Sequence, residues 1–308
     1  MHIILGAGGP VANALTKELA KAYQPVRLVS RKPITTSGNA TWQKADLLNQ
    51  DEVFSAVKEA SVIYLCAGLQ YDKKIWAVQW PVIIQNAIDA AKQTGARLIF
   101  FDNVYMYGLV SGKMTEETPY HPTSVKGEIR AKIATTLMDE VKAGNIRASI
   151  LRAADFYGAG KSTNSVFDSM VLAKFAKKQR AMWLGNPKLL HAFTYVPDCG
   201  RALFLLGQNE QSDNQIWHAP TAPALTGKKF IDLAAKVFQT EPKFNAIDKL
   251  MLRLIGFFDK NSGGAIEMFY QYDHDYVFDS TKFEQYFKVK PTSYETGIRE
   301  LKDTLFKA

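Results

Sequence analysis

The chain has 308 residues, of which 47% are apolar and 22% are charged, with a formal net charge of +8. This length and composition are typical of a two-lobed globular enzyme and argue against a disordered chain. The basic residues are scattered, and no stretch reaches the roughly 20 apolar residues of a membrane span. We therefore expect neither a nucleic-acid partner nor a membrane partner.

The sequence contains two cysteines, Cys66 and Cys199. One lies in a predicted strand and the other at a strand-to-helix junction, so we predict neither a disulfide framework nor a metal site. The first residues also lack the basic leader and the cleavage site of a secretory signal. These features favour a cytoplasmic protein.

In the first half of the chain, short β-branched or apolar runs alternate with longer amphipathic ones. This pattern predicts an α/β fold, a Rossmann-type doubly wound parallel sheet with crossover helices. The predicted strands are His2–Leu5, Val26–Ser30, Thr41–Lys44, Val62–Cys66, Arg97–Phe101 and Ala148–Leu151. The predicted helices are Pro10–Ala22, Gln50–Lys58, Ile75–Gln93 and Pro122–Ala143.

Beyond residue 151 the pattern becomes irregular, with a turn at Gly158-Ala159-Gly160 and helices predicted over Val166–Gln179 and Lys228–Phe238. We interpret residues 1–154, joined by about 190–218, as the Rossmann core. Residues 155–189 and 219–308 then form a smaller α/β C-terminal substrate lobe. Asp198 is predicted to cap a helix that starts near Cys199.

The glycine-rich turn between the first strand and the first helix is the clearest motif. Gly6, Gly9 and Ala12 are spaced GxxGxxA, and this context is typical of a dinucleotide-binding turn. The glycines permit a sharp turn and close approach of a pyrophosphate, and the alanine lets the helix pack close to the sheet. The helix N-terminus offers free N–H groups and the positive end of its dipole. The predicted contacts here are Gly6, Gly8, Gly9, Pro10 and Val11.

The end of the second strand bears on which dinucleotide binds. Where an NAD-preferring protein places a carboxylate, this sequence has Arg31 and Lys32. The planar guanidinium of Arg31 can pair with a 2′-phosphate, so NADP is the predicted cofactor and NAD the alternative. A solvated basic turn is the competing interpretation.

Two further segments at strand ends are predicted to contact the cofactor. After the third strand, Asp46 can accept a hydrogen bond from the adenine amino group while Leu47 packs on the ring. An acid near a helix N-terminus is an equally good interpretation of Asp46. Cys66, Ala67 and Gly68 end the fourth strand with small residues, as expected where a cofactor crosses strand ends.

Three later segments occur in an order typical of one family: Tyr107-Gly108, then Leu151-Arg152 through Phe156-Tyr157-Gly158, then Phe193-Thr194-Tyr195-Val196-Pro197-Asp198. With the glycine turn, they make the chain resemble the extended short-chain dehydrogenase/reductase superfamily, in its NAD-dependent epimerase/dehydratase branch. The resemblance implies a Rossmann core and a small C-terminal substrate lobe. It also implies hydride chemistry on nucleotide sugars or other hydroxyl and carbonyl compounds, and it is compatible with a homodimer formed through the long helices.

The sequence departs from the family's catalytic pattern, which is a Ser or Thr together with a YxxxK pair. Counting back four residues from Tyr107 places Asn103 where the family has its hydroxyl residue. After Pro122, Lys126 stands in the Tyr position and Arg130 in the Lys position, so YxxxK has become KxxxR. An amide can donate a hydrogen bond to a substrate oxygen, but it cannot relay a proton as a hydroxyl does.

Residues four apart share a helix face, so we expect Lys126 and Arg130 to face the cofactor cleft together. A permanent cation beside a partly buried lysine favours the neutral amine, which could then act as an acid or a base. In the alternative interpretation both residues bind the nicotinamide ribose, the diphosphate or an anionic substrate without transferring a proton. The predicted catalytic residues are Asn103, Lys126 and Arg130, and Lys126 is also a predicted cofactor contact.

The predicted substrate contacts are Tyr105, Asp155, His191 and Tyr195. A lone histidine is more often structural than functional, and the aromatic stretch 267–276 could line a substrate pocket or serve as packing. We predict an NAD(P)-dependent oxidoreductase or epimerase/dehydratase-like enzyme acting on a small hydroxyl or carbonyl compound, such as a sugar derivative. The three replacements suggest the alternative, a non-catalytic NADP-binding sensor or regulatory protein.

Overall fold

The structure is a computed structural model that describes residues 1–159, 165–258 and 266–305. Gly160 of the predicted turn lies outside these residues.

The strands, in chain order, are β1 (His2–Leu5), β2 (Val26–Ser30), β3 (Ala40–Lys44), β4 (Val62–Leu65), β5 (Arg97–Asp102), β6 (Lys113–Met114), β7 (Ala148–Arg152), β8 (Asp155–Tyr157), β9 (Ala181–Leu184), β10 (Leu190–His191), β11 (Phe193–Tyr195), β12 (Ile216–His218), β13 (Leu225–Thr226), β14 (Phe244–Ile247) and β15 (Val277–Phe278). The helices are α1 (Pro10–Lys21), α2 (Gln50–Ala56), α3 (Lys73–Thr94), α4 (Val125–Lys142), α5 (Ala173–Ala176), α6 (Val196–Gln208), α7 (Gly227–Phe238), α8 (Lys249–Phe258), α9 (Thr281–Phe287) and α10 (Tyr294–Leu305).

The chain divides into two compact units. The first comprises Met1–Met106, Val125–Ala153 and Cys199–Ala219, and the second comprises Tyr107–Ser124, Ala154–Asp198 and Pro220–Ala308. The boundaries of the core and the substrate lobe that we inferred from the sequence remain a prediction. The segment Tyr107–Ser124, which that inference places in the core, belongs to the second unit.

The first unit contains a seven-stranded parallel sheet in the order β12-β7-β5-β4-β1-β2-β3. β1 pairs with β2 on one side and with β4 on the other, so the strand order reverses at β1. Every residue of β1 and β4 is buried, as expected for strands covered on both faces. The predicted Rossmann-type sheet is confirmed, and in such sheets ligands bind at the carboxyl ends of the strands beside the reversal.

The predicted strands and helices of the first half all form, with small shifts at their ends. Gly95 ends α3 in the left-handed conformation, with φ of 69°. The helix predicted from Pro122 begins instead at Val125, and Ser124, a residue type common at helix N-caps, precedes its first residue. β5 and β7 are each one residue longer than predicted. The two added residues, Asp102 and Arg152, lie opposite each other in the sheet.

The second unit is built from short strand pairs around an aromatic core. β8 pairs with β11, β9 with β14, and β10 with β13. Tyr157, Phe193 and Phe230 pack together in this core, and α7 forms as predicted, with Thr226 as its N-cap. Among the described residues, none of the helices is both long and apolar enough to cross a bilayer.

One prediction for this region is confirmed with shifts and another is wrong. The helix predicted over Val166–Gln179 forms from Val166 to Ala176, with a π-helical segment at Asp168–Leu172 before α5, and it ends three residues early. Asp168 is tied to the backbone N–H groups of residues 158 and 159, a contact that helical periodicity does not reveal. Asp198 lies in the first turn of α6 rather than capping it, because the helix begins at Val196. Its carboxylate accepts hydrogen bonds from the backbone N–H and the hydroxyl of Thr292, at 2.7 and 2.9 Å.

Candidate functional site

The glycine turn follows β1 and is held against the two neighbouring strands. Gly6 and Gly8 have φ of +83° and +95°, which L side chains rarely adopt. The Gly6 N–H donates to the carbonyl of Val29 at 3.1 Å, and a Cβ at Gly6 would lie 2.5 Å from the Cα of Ala67. Glycine at position 6 is therefore required by the close approach of two backbone segments.

The next residues open toward solvent at the start of α1. Gly9 is the N-cap in an extended conformation, with no side-chain cap, and Pro10 occupies the first turn. A Cβ at Gly9 would meet nothing within 4 Å, and no acidic residue lies in the first helical turn. A helix start without a side-chain cap, its positive end and the open space at Gly9 together fit a phosphate-bearing group.

Arg31 lies just past the end of β2, in a segment that runs beside the glycine turn. Its side chain is exposed, and Ile34, three residues on, would approach a Cβ at Gly8 to 3.2 Å. Ser30 is fixed by hydrogen bonds from Trp42 at 3.0 Å and to the carbonyl of Lys32 at 2.6 Å. The segment is thus anchored at its base while the guanidinium of Arg31 remains accessible.

Asp46 and Leu47 lie between β3 and α2. The Asp46 carboxylate accepts the N–H of Leu48 at 3.1 Å, and Asn49, not Asp46, caps α2 by accepting the N–H of Glu52. The carbonyl of Leu47 accepts a hydrogen bond from Asn86 on α3 at 2.9 Å. Asp46 therefore shapes the turn, and its contact with adenine stays a prediction.

Cys66, Ala67 and Gly68 continue from β4, whose last residue is Leu65. The Cys66 N–H donates to the carbonyl of Leu5 at 2.9 Å, which holds this segment beside the glycine turn. Burial raises the pKa of the Cys66 thiol to about 12, so it stays protonated at neutral pH and is a poor nucleophile. Gly68 is exposed, with nothing within 4 Å of the position of a Cβ.

Arg130 is buried in α4 against the end of β5. Its Nη1 donates to Asp102 Oδ1 at 3.0 Å, and Arg152 Nε lies 3.8 Å from Oδ2 of the same carboxylate. Burial raises the pKa of the Asp102 carboxyl, and the two guanidinium groups oppose that rise. Because a guanidinium is not deprotonated in proteins, the group of Arg130 is a buried cation paired with Asp102.

Two tryptophans of α3 complete the surroundings of Arg130. Its guanidinium carbon lies 4.0 Å from the ring centroid of Trp80 and 4.7 Å from that of Trp76, within cation–π distance. Asp102 and these indoles were missed from the sequence. The signal was present as a second four-residue spacing, because Trp76 and Trp80 repeat on α3 as Lys126 and Arg130 do on α4.

Lys126 and Asn103 lie close to two tyrosines at the same edge of the sheet. Lys126 is fully buried, at 0% exposed, and its Nζ lies 4.1 Å above the ring of Tyr71. The Tyr71 hydroxyl donates to the hydroxyl of Tyr105 at 3.3 Å. The side-chain oxygen of Asn103 accepts the N–H of Tyr105 at 3.0 Å; its NH₂ group is the part that can donate to a ligand.

The other predicted substrate contacts lie in the second unit. His191 Nε2 and the hydroxyl of Tyr272 both hydrogen-bond to Asp155 Oδ2, at 3.2 and 2.7 Å. The His191 ring is buried and stacks on Tyr272 and Tyr276 with centroids 5.1 and 4.5 Å apart. The stretch 267–276 thus contributes packing within this unit.

Tyr195 is separate from this group of side chains. Its hydroxyl donates to Glu300 Oε2 at 2.8 Å, and burial is the main cause that raises the pKa of this phenol above its ordinary range. In the ranges that the structure describes, no three His, Cys, Asp or Glu residues are grouped to hold a metal ion.

A family model described as the NAD dependent epimerase/dehydratase family matches residues 2–218 of the chain. The comparison with curated proteins finds no match.

Several solved structures share the fold over nearly their whole length. A putative epimerase from Burkholderia cenocepacia J2315 has a TM-score of 0.81 at 15% identity, covering 100% of this chain and 98% of that one. The UDP-glucose 4-epimerase of Thermus thermophilus, in complex with NAD, has a TM-score of 0.77 at 16% identity and covers 100% of both chains. DesIV of Streptomyces venezuelae, a dTDP-glucose 4,6-dehydratase with NAD and TYD bound, has a TM-score of 0.75 at 14% identity and covers 99% of this chain and 98% of that one.

Proposed function

Because the chain belongs to the NAD dependent epimerase/dehydratase family, we propose that it binds a nicotinamide dinucleotide and uses it to oxidise or reduce a hydroxyl or carbonyl compound. The observation that carries this proposal is the turn from Gly6 to Pro10. Its backbone is open at Gly9 and leads into an uncapped helix N-terminus, a combination suited to a pyrophosphate.

We propose NADP rather than NAD as the preferred dinucleotide. The guanidinium of Arg31 is exposed beside the glycine turn, and no carboxylate follows β2 in the sequence. A 2′-phosphate could accept two parallel hydrogen bonds from this group. The turn Asp46–Leu47 and the small residues Cys66–Gly68 would border the adenosine and the nicotinamide end, as their positions after β3 and β4 suggest.

At the reacting end, bound nicotinamide supplies a hydride acceptor or donor. The protein's part is to orient the substrate and to manage its proton. The NH₂ group of Asn103 would donate to the substrate oxygen, because the side-chain oxygen is already engaged by Tyr105. The side chain of Lys126 is fully buried, with its Nζ 4.1 Å above the ring of Tyr71. As an ammonium group it would place positive charge where oxygen develops negative charge.

A sugar derivative is the substrate class that we propose. Structural relatives include a UDP-glucose epimerase and a dTDP-glucose dehydratase. Sugar carbinols meet the chemical requirement for a carbon that can exchange a hydride while its oxygen exchanges a proton.

A non-catalytic NADP-binding role is the second candidate, and one observation favours it. Arg130, in the position of the family's lysine, is held by Asp102 and lies over two indole rings, so its guanidinium is directed into the protein interior. A protein of this kind would bind the dinucleotide and show no turnover.

Calorimetric titration with NADPH and NADH, followed by an absorbance screen of NADPH oxidation against sugar, aldehyde and ketone panels, tests both candidates. We expect tighter binding of NADPH and oxidation with at least one carbonyl compound. Tight binding with no turnover on any panel would favour the sensor. Failure to bind either dinucleotide would overturn the proposed function.

A further inference from the structure

Two tyrosines approach each other at the edge of the sheet where the family's helix tyrosine is missing. Tyr71 lies in the segment between β4 and α3, and Tyr105 begins the 3-10 turn after β5. β4 and β5 are neighbours in the sheet, and the hydroxyl of Tyr71 donates to that of Tyr105 at 3.3 Å. Both side chains are half-buried, so neither is sealed in the core.

The surroundings of the pair are cationic. Lys126 Nζ lies 4.1 Å from the Tyr71 ring centroid. Trp76, which stacks on Tyr105 with an interplanar angle of 14°, carries the guanidinium of Arg130 on its ring, 4.7 Å from the centroid. A nearby positive charge favours the ionised form of a phenol.

Arg130 interacts electrostatically with both phenols. Desolvation lowers the pKa of Arg130, and Asp102, Tyr105 and Tyr71 each oppose that shift through their charges. A positive charge near a phenol favours its ionised form, so Arg130 acts on the two tyrosines in the same sense as Lys126. The Asp102 carboxylate works against this by partly neutralising Arg130 at 3.0 Å. Lys126, above the Tyr71 ring, is the other cation beside the pair.

We propose that Tyr105 Oη transfers the substrate proton, a task that the family gives to the tyrosine of its helix. Tyr71 is a positioning residue that donates its hydroxyl hydrogen to Oη, and Lys126 stabilises the negative charge of the pair. This inference rests on the proposed hydride-transfer function, and it moves the acid–base role from α4 to the turn after β5.

The proton balance is simple. In the oxidative direction the O–H bond of the substrate carbinol breaks and its proton passes to the Tyr105 phenolate. The electron pair of the carbinol C–H bond leaves with the hydride, so the substrate becomes a carbonyl compound and the dinucleotide is reduced. In the reductive direction Tyr105 Oη returns the proton to the new alkoxide.

Ultraviolet difference titration of the protein without dinucleotide tests the inference independently of turnover. Subtracting the phenolate absorbance of Tyr105→Phe from that of the native protein should isolate one ionisation below the ordinary tyrosine value of about 10. Tyr23→Phe, which alters a side chain that is 83% exposed, is the matched control and should isolate an ordinary ionisation. A Tyr105 ionisation at or above the ordinary value would overturn the inference.

Activity gives the second readout on the same variants. We expect Tyr105→Phe to lower kcat about 100-fold, the usual loss when a general acid or base is removed, while NADPH affinity and thermal stability stay those of the native protein. Tyr71→Phe should lower kcat less, and Lys126→Met should raise the pH at which Tyr105 ionises. If the native protein binds and oxidises NADPH but Tyr105→Phe has an unchanged kcat, the inference is contradicted. If the native protein does not bind NADPH, the proposed function is contradicted instead.

Discussion

The glycine turn after β1 and the group formed by Asn103, Lys126 and Arg130 belong to the same sheet edge, yet only the turn keeps the family's residue pattern. The turn is made of backbone, and a Cβ at Gly6 would collide with Ala67. The second group is made of side chains, and each contacts a different partner: Tyr105 for Asn103, Tyr71 for Lys126 and Asp102 for Arg130. A site made of backbone tolerates little change, while a set of side chains can be exchanged if its members change together.

The two regions also differ in what surrounds them. Around Gly9 there is open space, as a ligand site requires. Around Arg130 there are a carboxylate and two indoles, so this cation is enclosed by protein. The turn is therefore open to a ligand, whereas loss of one partner of the Arg130–Asp102 pair would leave a buried charge.

The largest effect that we expect comes from Arg130→Met. Removal of one member of a buried ion pair leaves the Asp102 carboxylate inside the protein, which typically costs about 3–5 kcal/mol. Urea unfolding measures the loss, and Arg31→Met, at an exposed position, should change the free energy of unfolding by at most about 0.5 kcal/mol. If the two variants are equally stable, the Arg130–Asp102 pair does not matter more to the fold than the exposed Arg31, and the contrast is wrong.

Gly9→Val should weaken NADPH binding about 100-fold, a loss of roughly 3 kcal/mol, because its side chain would occupy the open space assigned to the pyrophosphate. The fold should tolerate the change, since nothing lies within 4 Å of the position of the Cβ. Calorimetry measures the affinity, and Ala20→Val, on the exposed face of the same helix, is the control. Native affinity in Gly9→Val would refute the assignment of the turn.

Arg31→Asp should shift selectivity from NADPH toward NADH by about 10- to 100-fold, because a charge-assisted hydrogen bond contributes about 1.5–3 kcal/mol. The ratio of the two dissociation constants is the quantity to measure. Lys17→Glu makes a similar change of charge on the exposed face of α1 and should leave the ratio unaltered. If both variants change the ratio equally, the effect is one of net charge and Arg31 does not meet the 2′-phosphate.

What could be predicted from the sequence follows the same division. The turn and the strands that flank it depend on local patterns, and glycine spacing with apolar runs was sufficient to locate them. The contacts of Arg130 and the Tyr71–Tyr105 pair join residues 28 and 34 positions apart, and neither spacing corresponds to a helix or strand period. The hydrogen bond from the Tyr105 N–H to the Asn103 side-chain oxygen was also not predicted, because it depends on the path of the backbone after β5.

The packing of Arg130 also restricts the evolutionary and engineering routes to the family's usual active site. Lysine at position 130 would lack the planar guanidinium that donates to Asp102 while lying over the rings of Trp76 and Trp80. Restoring tyrosine at 126 and lysine at 130 would therefore leave a misfitted carboxylate and two unfilled indole faces. We therefore expect exchange at 126 and 130 alone to lower stability, so that a change to the family's pattern would also require changes at Asp102, Trp76 and Trp80.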